Sequence, residues 1–263
     1  MKRLAMVCAL AVSLAAWAQG KDPKDTKPAD PAKQGVNWAG QVIRATGQGA
    51  PDMKAANAAQ ARLGAEMAAK LDALRNLLGQ VKGTSIDGTR KMGDLMAKDE
   101  VRARVEGIVK GYKIVNKRYF SDNGVEIEVE VPVSMLADVI DPDATQVLAV
   151  GKPEGEKATG LVIDARGLKV TPALMPRVLD AEGKPVYSID SLSAEARKTS
   201  GVAAYVASLD DAQKSPKAGE KPLVLKAAKA SGADLQLAPE DAKKLATLNT
   251  GFLADGKVVI VLN

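Results

Sequence analysis

Residues 113–133 read KIVNKRYFSDNGVEIEVEVPV, and this stretch decides the fold of the first half of the chain. Apolar and polar side chains alternate on both sides of residues 122–124 (DNG), which form a turn signal with glycine at the left-handed position. The pattern predicts an antiparallel hairpin in which Tyr119 pairs with Ile127. One face of the hairpin would be apolar. The other would carry three acidic residues, Glu126, Glu128 and Glu130.

Residues 53–82 carry the strongest helix signal in the sequence, because they are rich in Ala, Leu, Lys and Gln. Six larger apolar residues recur every three or four positions and share one helix face: Leu63, Met67, Leu71, Leu74, Leu78 and Val81. We expect this face to pack across the sheet, and a coiled-coil seam is the alternative with the same spacing. Residues 101–109 are predicted to form a further strand, and residues 134–140 a short helix.

The chain therefore divides into two predicted domains. Residues 37–140 are expected to fold as an α+β domain with one long helix packed on an antiparallel sheet. Residues 141–157 are rich in Pro, Gly and charge and are interpreted as a connector. Residues 158–263 are predicted to form a second small, β-rich α+β domain with six strands and a helix at 239–248. Residues 19–36 are interpreted as a flexible linker, because they offer almost no apolar surface to bury.

The N-terminus has the three parts of a cleavable signal peptide over residues 1–18. Lys2 and Arg3 precede an apolar run, and a small-x-small site predicts cleavage between Ala18 and Gln19. The run is too short to span a bilayer, so we expect a periplasmic or secreted mature chain with no transmembrane segment. Lipid anchoring through Cys8 is not expected, because only four apolar residues separate Arg3 from its thiol.

Composition restricts the available chemistry. Cys8 is the only cysteine and the chain has no histidine, so a chain cleaved after Ala18 would lack both residue types. Catalysis by Ser-His-Asp or Cys-His groups is then excluded, and the usual ligands of transition metals are missing. Carboxylate or Ser/Lys chemistry remains open, but no Ser-x-x-Lys or Gly-x-Ser-x-Gly motif occurs. We therefore expect no enzymatic activity, no cofactor and no metal. A hydrolase that uses carboxylates or a Ser/Lys pair is the alternative hypothesis.

The charge pattern does not indicate a nucleic-acid partner. The net charge is +5, and loss of Lys2 and Arg3 would lower it to about +3. Basic and acidic residues are interspersed, and aromatic residues make up only 3% of the chain. Nucleic-acid binders usually concentrate positive charge on one face and often add aromatic stacking platforms.

The most site-like position is Asp164-Ala-Arg166-Gly167, at the end of a predicted strand. Asp164 and Arg166 lie two residues apart on the same strand face, and we take them as a candidate ligand or interface site. A structural ion pair is the alternative interpretation. Two further carboxylate pairs are interpreted as turn and helix-cap residues rather than as metal sites, because they lack calcium-loop spacing: Asp141 with Asp143, and Asp210 with Asp211.

Three segments together resemble a known family: WAGQVIRATGQGAPD at 38–52, AKLDALRNLLGQVKG at 69–83, and RVEGIVKGYKIVNKRYFSDNGVEIEVEVPVS at 104–134. Over residues 38–133 the chain resembles the LPP-type lipoprotein domain of proteobacterial envelope proteins, a relative of which occurs in flagellar outer-membrane ring proteins. The resemblance implies an α+β envelope domain with no known catalytic site, used in assembly and sometimes in motility. This chain departs from those lipoproteins in lacking a usable lipobox.

These observations favour a non-enzymatic exported envelope protein that acts in structure or assembly, with flagellar or other outer-membrane rings as candidate assemblies. Its partners would be envelope proteins or further copies of itself. The alternative hypothesis is a periplasmic binding module that holds a cell-wall fragment or a small anion near Asp164 and Arg166.

Overall fold

The computed structural model describes residues 34–140 and 157–262. These residues belong to one compact unit, and they build two β-sheets with helices. We call residues 34–140 the N-terminal lobe and residues 157–262 the C-terminal lobe. The predicted signal peptide and connector lie outside the described residues, apart from Lys157, and so does most of the predicted linker.

The N-terminal lobe is an antiparallel sheet with one long helix on it, which confirms the predicted fold class. Its four strands have the spatial order β1-β2-β4-β3 and are β1 (Gly35–Asn37), β2 (Val42–Gly49), β3 (Lys113–Tyr119) and β4 (Val125–Pro132). Its helices are α1 (Ala58–Gly83), α2 (Met92–Leu95), α3 (Asp99–Lys110) and α4 (Ser134–Ile140). The long helix α1 packs along β2 and β4.

The prediction of a strand at residues 101–109 was wrong, because this segment lies within helix α3. Its buried residues Val105 and Val109 are four positions apart, a spacing that satisfies both a strand period of two and a helix period of 3.6. The ends of the segment distinguish the two. Asp99 and Glu100 lie in the first turn and Lys110 in the last, the charge order that favours a helix.

The predicted hairpin forms, but its register is shifted by two residues. Tyr119 pairs with Val125, and Lys117 rather than Tyr119 pairs with Ile127. Asn123, not Gly124, takes the left-handed conformation, with φ of 67°. A shift of two residues keeps residues 116–119 on their predicted faces, but a bulge between Ile114 and Asn116 places Ile114 opposite Val129, on the apolar side. The apolar face of β4 is buried as expected.

The C-terminal lobe is β-rich and contains a seven-stranded mixed sheet of order β7-β6-β10-β9-β5-β11-β8. Its strands are β5 (Gly160–Asp164), β6 (Val178–Leu179), β7 (Pro185–Tyr187), β8 (Ala204–Val206), β9 (Pro222–Ser231), β10 (Asp234–Leu237) and β11 (Val258–Val261). Its helices are α5 (Ala194–Thr199), α6 (Leu209–Lys214), α7 (Pro239–Thr247) and α8 (Gly251–Ala254). Strands β9, β5, β11 and β8 run parallel. All six predicted strands are present, whereas β10 was missed.

The two lobes contact each other through backbone and aromatic groups. Leu174 and Met175 of the C-terminal lobe donate backbone hydrogen bonds to the carbonyls of Ser85 and Ile86, at 2.9 and 2.8 Å. The side chain of Leu174 is part of the N-terminal core. Trp38 also meets the ring of Tyr205 edge-on, with 5.4 Å between ring centroids. No helix within residues 34–140 or 157–262 has the length and apolar character needed to cross a membrane.

Candidate interaction face on the long helix

Helix α1 packs on the sheet through its smallest side chains. Every fourth residue is buried along the face toward the sheet: Ala61, Ala65, Ala69, Ala73, Leu77 and Val81. Opposite them, β2 carries Gly47 and Gly49. A Cβ atom added to Gly47 would lie 2.0 Å from the backbone nitrogen of Ala73, and one added to Gly49 would lie 1.9 Å from the carbonyl oxygen of Ala65. The helix backbone therefore lies directly against the strand, which only glycine permits.

The prediction that the larger apolar face of α1 packs on the sheet was wrong. Of those six residues only Val81 is buried, and Leu74 and Leu78 are partly buried against the N-terminal core. The other three are exposed: Leu63 at 67%, Met67 at 65% and Leu71 at 59%. We call Leu63, Met67 and Leu71 the α1 apolar face. The signal that could have identified the buried face is the glycine pair of β2, since glycine in a strand marks a close backbone approach.

Ionic contacts hold α1 in this orientation along the side that faces β3. Glu66 accepts a hydrogen bond from the amine of Lys117 at 2.8 Å and forms an ion pair with Lys70 at 2.8 Å. These hydrogen bonds lower the pKa of Glu66 to about 2. The guanidinium of Arg62 lies over the ring of Tyr119, 5.6 Å from its centroid.

Hydrogen bonds to β2 hold the opposite side of the helix. Asp72 accepts from the backbone N–H of Gln48 at 3.0 Å, and the side chain of Asn76 donates to the carbonyl of Thr46 at 2.9 Å. A rotation that buried the α1 apolar face would break the contacts on both sides of the helix. The three side chains therefore stay exposed within the lobe.

The exposed face represents a substantial free energy of burial. Full burial of a Leu or Met side chain is worth about 1.5–3 kcal/mol, so three residues about two-thirds exposed retain about 3–6 kcal/mol in all. Single exposed apolar residues are common, but three in one row along a rigid helix form a patch of the kind used for protein contacts.

The predicted site residues Asp164 and Arg166 form a closed ion pair at the C-terminal end of β5. The guanidinium of Arg166 donates from Nε at 2.9 Å and from Nη2 at 2.8 Å to the two carboxylate oxygens of Asp164. The backbone N–H of Arg166 adds a third bond at 3.1 Å. Hydrogen bonding from Arg166 lowers the pKa of Asp164. An anion would have to displace this carboxylate from the guanidinium. Whether the pair binds a ligand stays a prediction.

Among the remaining acidic candidates, Asp211, Glu126 and Glu130 have local partners. Asp211 accepts a hydrogen bond from the Ser208 hydroxyl at 2.7 Å at the start of α6, as expected for a helix cap. On the polar face of the sheet Glu126 pairs with Arg118 at 2.9 Å, and Glu130 pairs with Arg44 at 3.0 Å. Asp141 and Asp143 lie outside the described residues. Within the described ranges no three His, Cys, Asp or Glu side chains form a group that could hold a metal ion.

A charged cleft of about 280 Å³ lies where the lobes meet, and sequence reasoning missed it. It is lined by Asp87, Arg90, Met175, Arg177, Ser188, Ile189 and Asp190. Burial raises the pKa of Asp87, but hydrogen bonds from the backbones of Thr89 and Arg90 and from the Arg90 guanidinium outweigh it and hold that pKa well below its usual range. Arg177 forms an ion pair with Asp234. Because these charges neutralise one another, the cleft is best explained as a contact between lobes.

The fold and this face define a two-lobed α+β protein whose long helix presents apolar side chains outward. Residues 160–263 match the family model described as Treponema pallidum Tp0624, second domain. The match begins at the first residue of β5 and covers about two-fifths of the chain, within the C-terminal lobe. A comparison with curated proteins gave no match. The description of the matching domain carries no activity.

Proposed function

We propose that this protein is a non-enzymatic exported protein of the bacterial envelope that acts in structure or assembly through protein contacts. The observation that carries the proposal is the α1 apolar face, which the fold leaves exposed while it buries alanines. Export is supported by the signal-peptide pattern of residues 1–18, and envelope assembly by the resemblance of residues 38–133 to the LPP-type lipoprotein domain. Flagellar or other outer-membrane rings are the candidate assemblies.

The occupant of the face in this proposal is a second copy of the chain, with the two α1 helices antiparallel about Met67. Leu63 and Leu71 lie four residues on either side of Met67, about 6 Å along the helix axis. A twofold axis there sets Leu63 of one copy beside Leu71 of the other. The same axis brings Lys70 of one copy near Glu66 of the other, so the charges beside the apolar rows are complementary. Such self-complementary contacts are typical of homodimers.

The expected affinity of this contact is low, which suits an assembly. Two faces together contribute about 6–12 kcal/mol of apolar burial, and association costs about 4–15 kcal/mol in lost freedom. A single helix pair is also smaller than the roughly 800 Å² per partner of a standard interface. We therefore expect a dissociation constant in the micromolar range or weaker, strengthened where many copies are held side by side.

Disulfide cross-linking at Met67 tests both the surface and its occupant. A chain that starts at Gln19 has no cysteine, so Met67→Cys introduces a single thiol. Under mild oxidation we expect a covalent dimer to form, because the axis places the two thiols together. Gly79→Cys is the matched control: it lies on the same helix and its Cβ meets nothing within 4 Å. The antiparallel arrangement places its two copies about 36 Å apart along the axis.

Two results would contradict the proposal. If Met67→Cys cross-links no faster than Gly79→Cys, the proposed antiparallel dimer is wrong. If the Leu63→Glu, Leu71→Glu double variant sediments like the parent protein up to millimolar concentration, the α1 apolar face is not a contact surface.

In cells, loss of the gene should alter envelope architecture or motility without loss of a metabolic step.

A further inference from the structure

A second cavity of about 280 Å³ lies on the C-terminal lobe, where the start of β9 meets residues 157–158 ahead of β5 and the end of α7. The described residues that line it are Lys157, Ala158, Lys221, Pro222, Leu223, Lys244 and Leu248. We call this cavity the lysine-rimmed pocket. It combines three ammonium groups with four apolar side chains, and none of its lining residues within the described ranges is acidic.

The backbone that carries the pocket is fixed by hydrogen bonds. The N–H of Thr159 donates to the carbonyl of Lys221 at 3.0 Å, and the N–H of Lys221 donates to the Thr159 hydroxyl at 2.8 Å. Lys157 forms a parallel bridge with Asn249, just after α7. Leu223 is 9% exposed and belongs to the C-terminal core. The backbone that carries the lysines and the apolar floor is thus held in place before any ligand arrives, which lowers the entropic cost of binding.

The three lysines differ from most charged groups near the other candidate sites. Lys117 has Glu66, Arg166 has Asp164 and Arg177 has Asp234, each as an ion pair. Within residues 34–140 and 157–262, no such ion pair is formed by Lys157, Lys221 or Lys244. Three like charges at one mouth repel one another, and an anion at that mouth relieves the repulsion.

The floor of the pocket adds a second requirement to the ligand. Ala158, Pro222, Leu223 and Leu248 offer apolar surface below the charged rim. A fully hydrated inorganic anion gains nothing from that surface, whereas an apolar group attached to the anion is removed from water there. Pockets that bind small molecules combine an apolar lining with a few fixed polar groups in this way.

We propose that the lysine-rimmed pocket binds a small amphipathic anion, with its carboxylate or phosphate group at the three ammonium groups and its apolar part on the floor. The site lies on the C-terminal lobe and is independent of the α1 apolar face, so either proposal can fail without the other.

Calorimetric titration with octanoate tests the pocket, with inorganic phosphate and 1-octanol as comparison ligands. We expect octanoate to bind more tightly than either, because only octanoate has both a charge and an apolar chain. Lys157→Gln, Lys221→Gln and Lys244→Gln should each weaken octanoate binding about fivefold, as expected for an exposed charge contact, and added salt should weaken it further. Lys229→Gln on strand β9, which Lys221 directly precedes, is the matched control and should change nothing.

Three results would overturn the proposal. If phosphate binds as tightly as octanoate, the apolar floor does not contribute to binding. If octanol binds as tightly as octanoate, and the three Lys→Gln variants bind octanoate as the parent protein does, the lysine charges do not contribute to binding. Absence of octanoate binding at millimolar concentration would remove the site. Thermal unfolding of each variant, compared with that of Lys229→Gln, separates a lost ligand contact from a loss of folding.

Discussion

Gly49→Ala tests the close packing of α1 on β2 more directly than any other single change. The added methyl group would lie 1.9 Å from the carbonyl oxygen of Ala65 and 2.7 Å from the nitrogen of Ala69. Both are backbone atoms of a helix held on either side by hydrogen bonds, so neither can rotate away as a side chain could. The helix and the strand must move apart, which weakens the contact of the alanine face with the sheet.

We expect Gly49→Ala to lower the free energy of unfolding by about 3 kcal/mol, at the upper end of the range for overpacked cores. Urea denaturation followed by circular dichroism measures the effect. With a denaturant slope of about 2 kcal/mol per M, the midpoint should fall by about 1.5 M.

The matched control is Gly79→Ala on the outer side of the same helix. An added Cβ there meets nothing within 4 Å, so only the helix propensity changes. This variant should be more stable than the parent protein by about 0.5–1 kcal/mol. If Gly49→Ala stays within about 0.5 kcal/mol of the parent protein, the close approach of helix and strand is wrong, and with it the exposure of the α1 apolar face.

Three further predictions follow from the same structure. Met67→Gln should change the free energy of unfolding by less than about 0.5 kcal/mol, whereas Ala69→Met should cost about 1–3 kcal/mol, because only Ala69 is buried; urea midpoints compare the two. Burial lowers the pKa of Lys217 to about 8, whereas an ordinary lysine has a pKa near 10.4. Between about pH 8 and pH 10.4 the unfolded chain therefore binds more protons than the folded protein, and the free energy of unfolding should rise with pH by up to about 3 kcal/mol. Lys217→Met should lack this rise in melts at pH 7.5 and 10.5. Hydrogen bonds from Lys117 and Lys70 lower the pKa of Glu66 to about 2, so these contacts stabilise the fold above pH 4.5 and are lost as the pH falls toward 2. Lys117→Met should therefore lose less stability than the parent protein between pH 5 and 3.

The hairpin shows which part of the fold could be predicted and which could not. Alternating side chains in residues 113–133 identified both strands and the buried face of β4. The register of the hairpin could not be predicted in the same way. In the turn of residues 120–124 the N–H of Phe120 donates to the carbonyl of Gly124, and Asn123 lies in the left-handed region. Either Asn or Gly adopts that conformation easily, so local chemistry left two registers open.

The candidate sites were less predictable than the fold. The pairing of Asp164 with Arg166 was anticipated as one of two interpretations, because both residues belong to one strand end. The lysine-rimmed pocket was not, since Lys157, Lys221 and Lys244 come from three separate segments. Only the pairing of β9 with β5 and the packing of α7 bring these lysines to one mouth.

The long helix separates most clearly what the sequence by itself determined from what the tertiary structure decided. Composition and spacing were enough to predict a helix over most of residues 58–83, because helix formation depends on residues within a few positions of each other. The buried face could not be predicted in this way, since the row of Ala61, Ala65, Ala69 and Ala73 and the row of Leu63, Met67 and Leu71 have the same spacing of four. The choice between them was made by Gly47 and Gly49 on a strand distant in sequence, where the absence of side chains lets a helix of small residues approach. As a consequence Leu63, Met67 and Leu71, which the local pattern assigned to the core, became exposed.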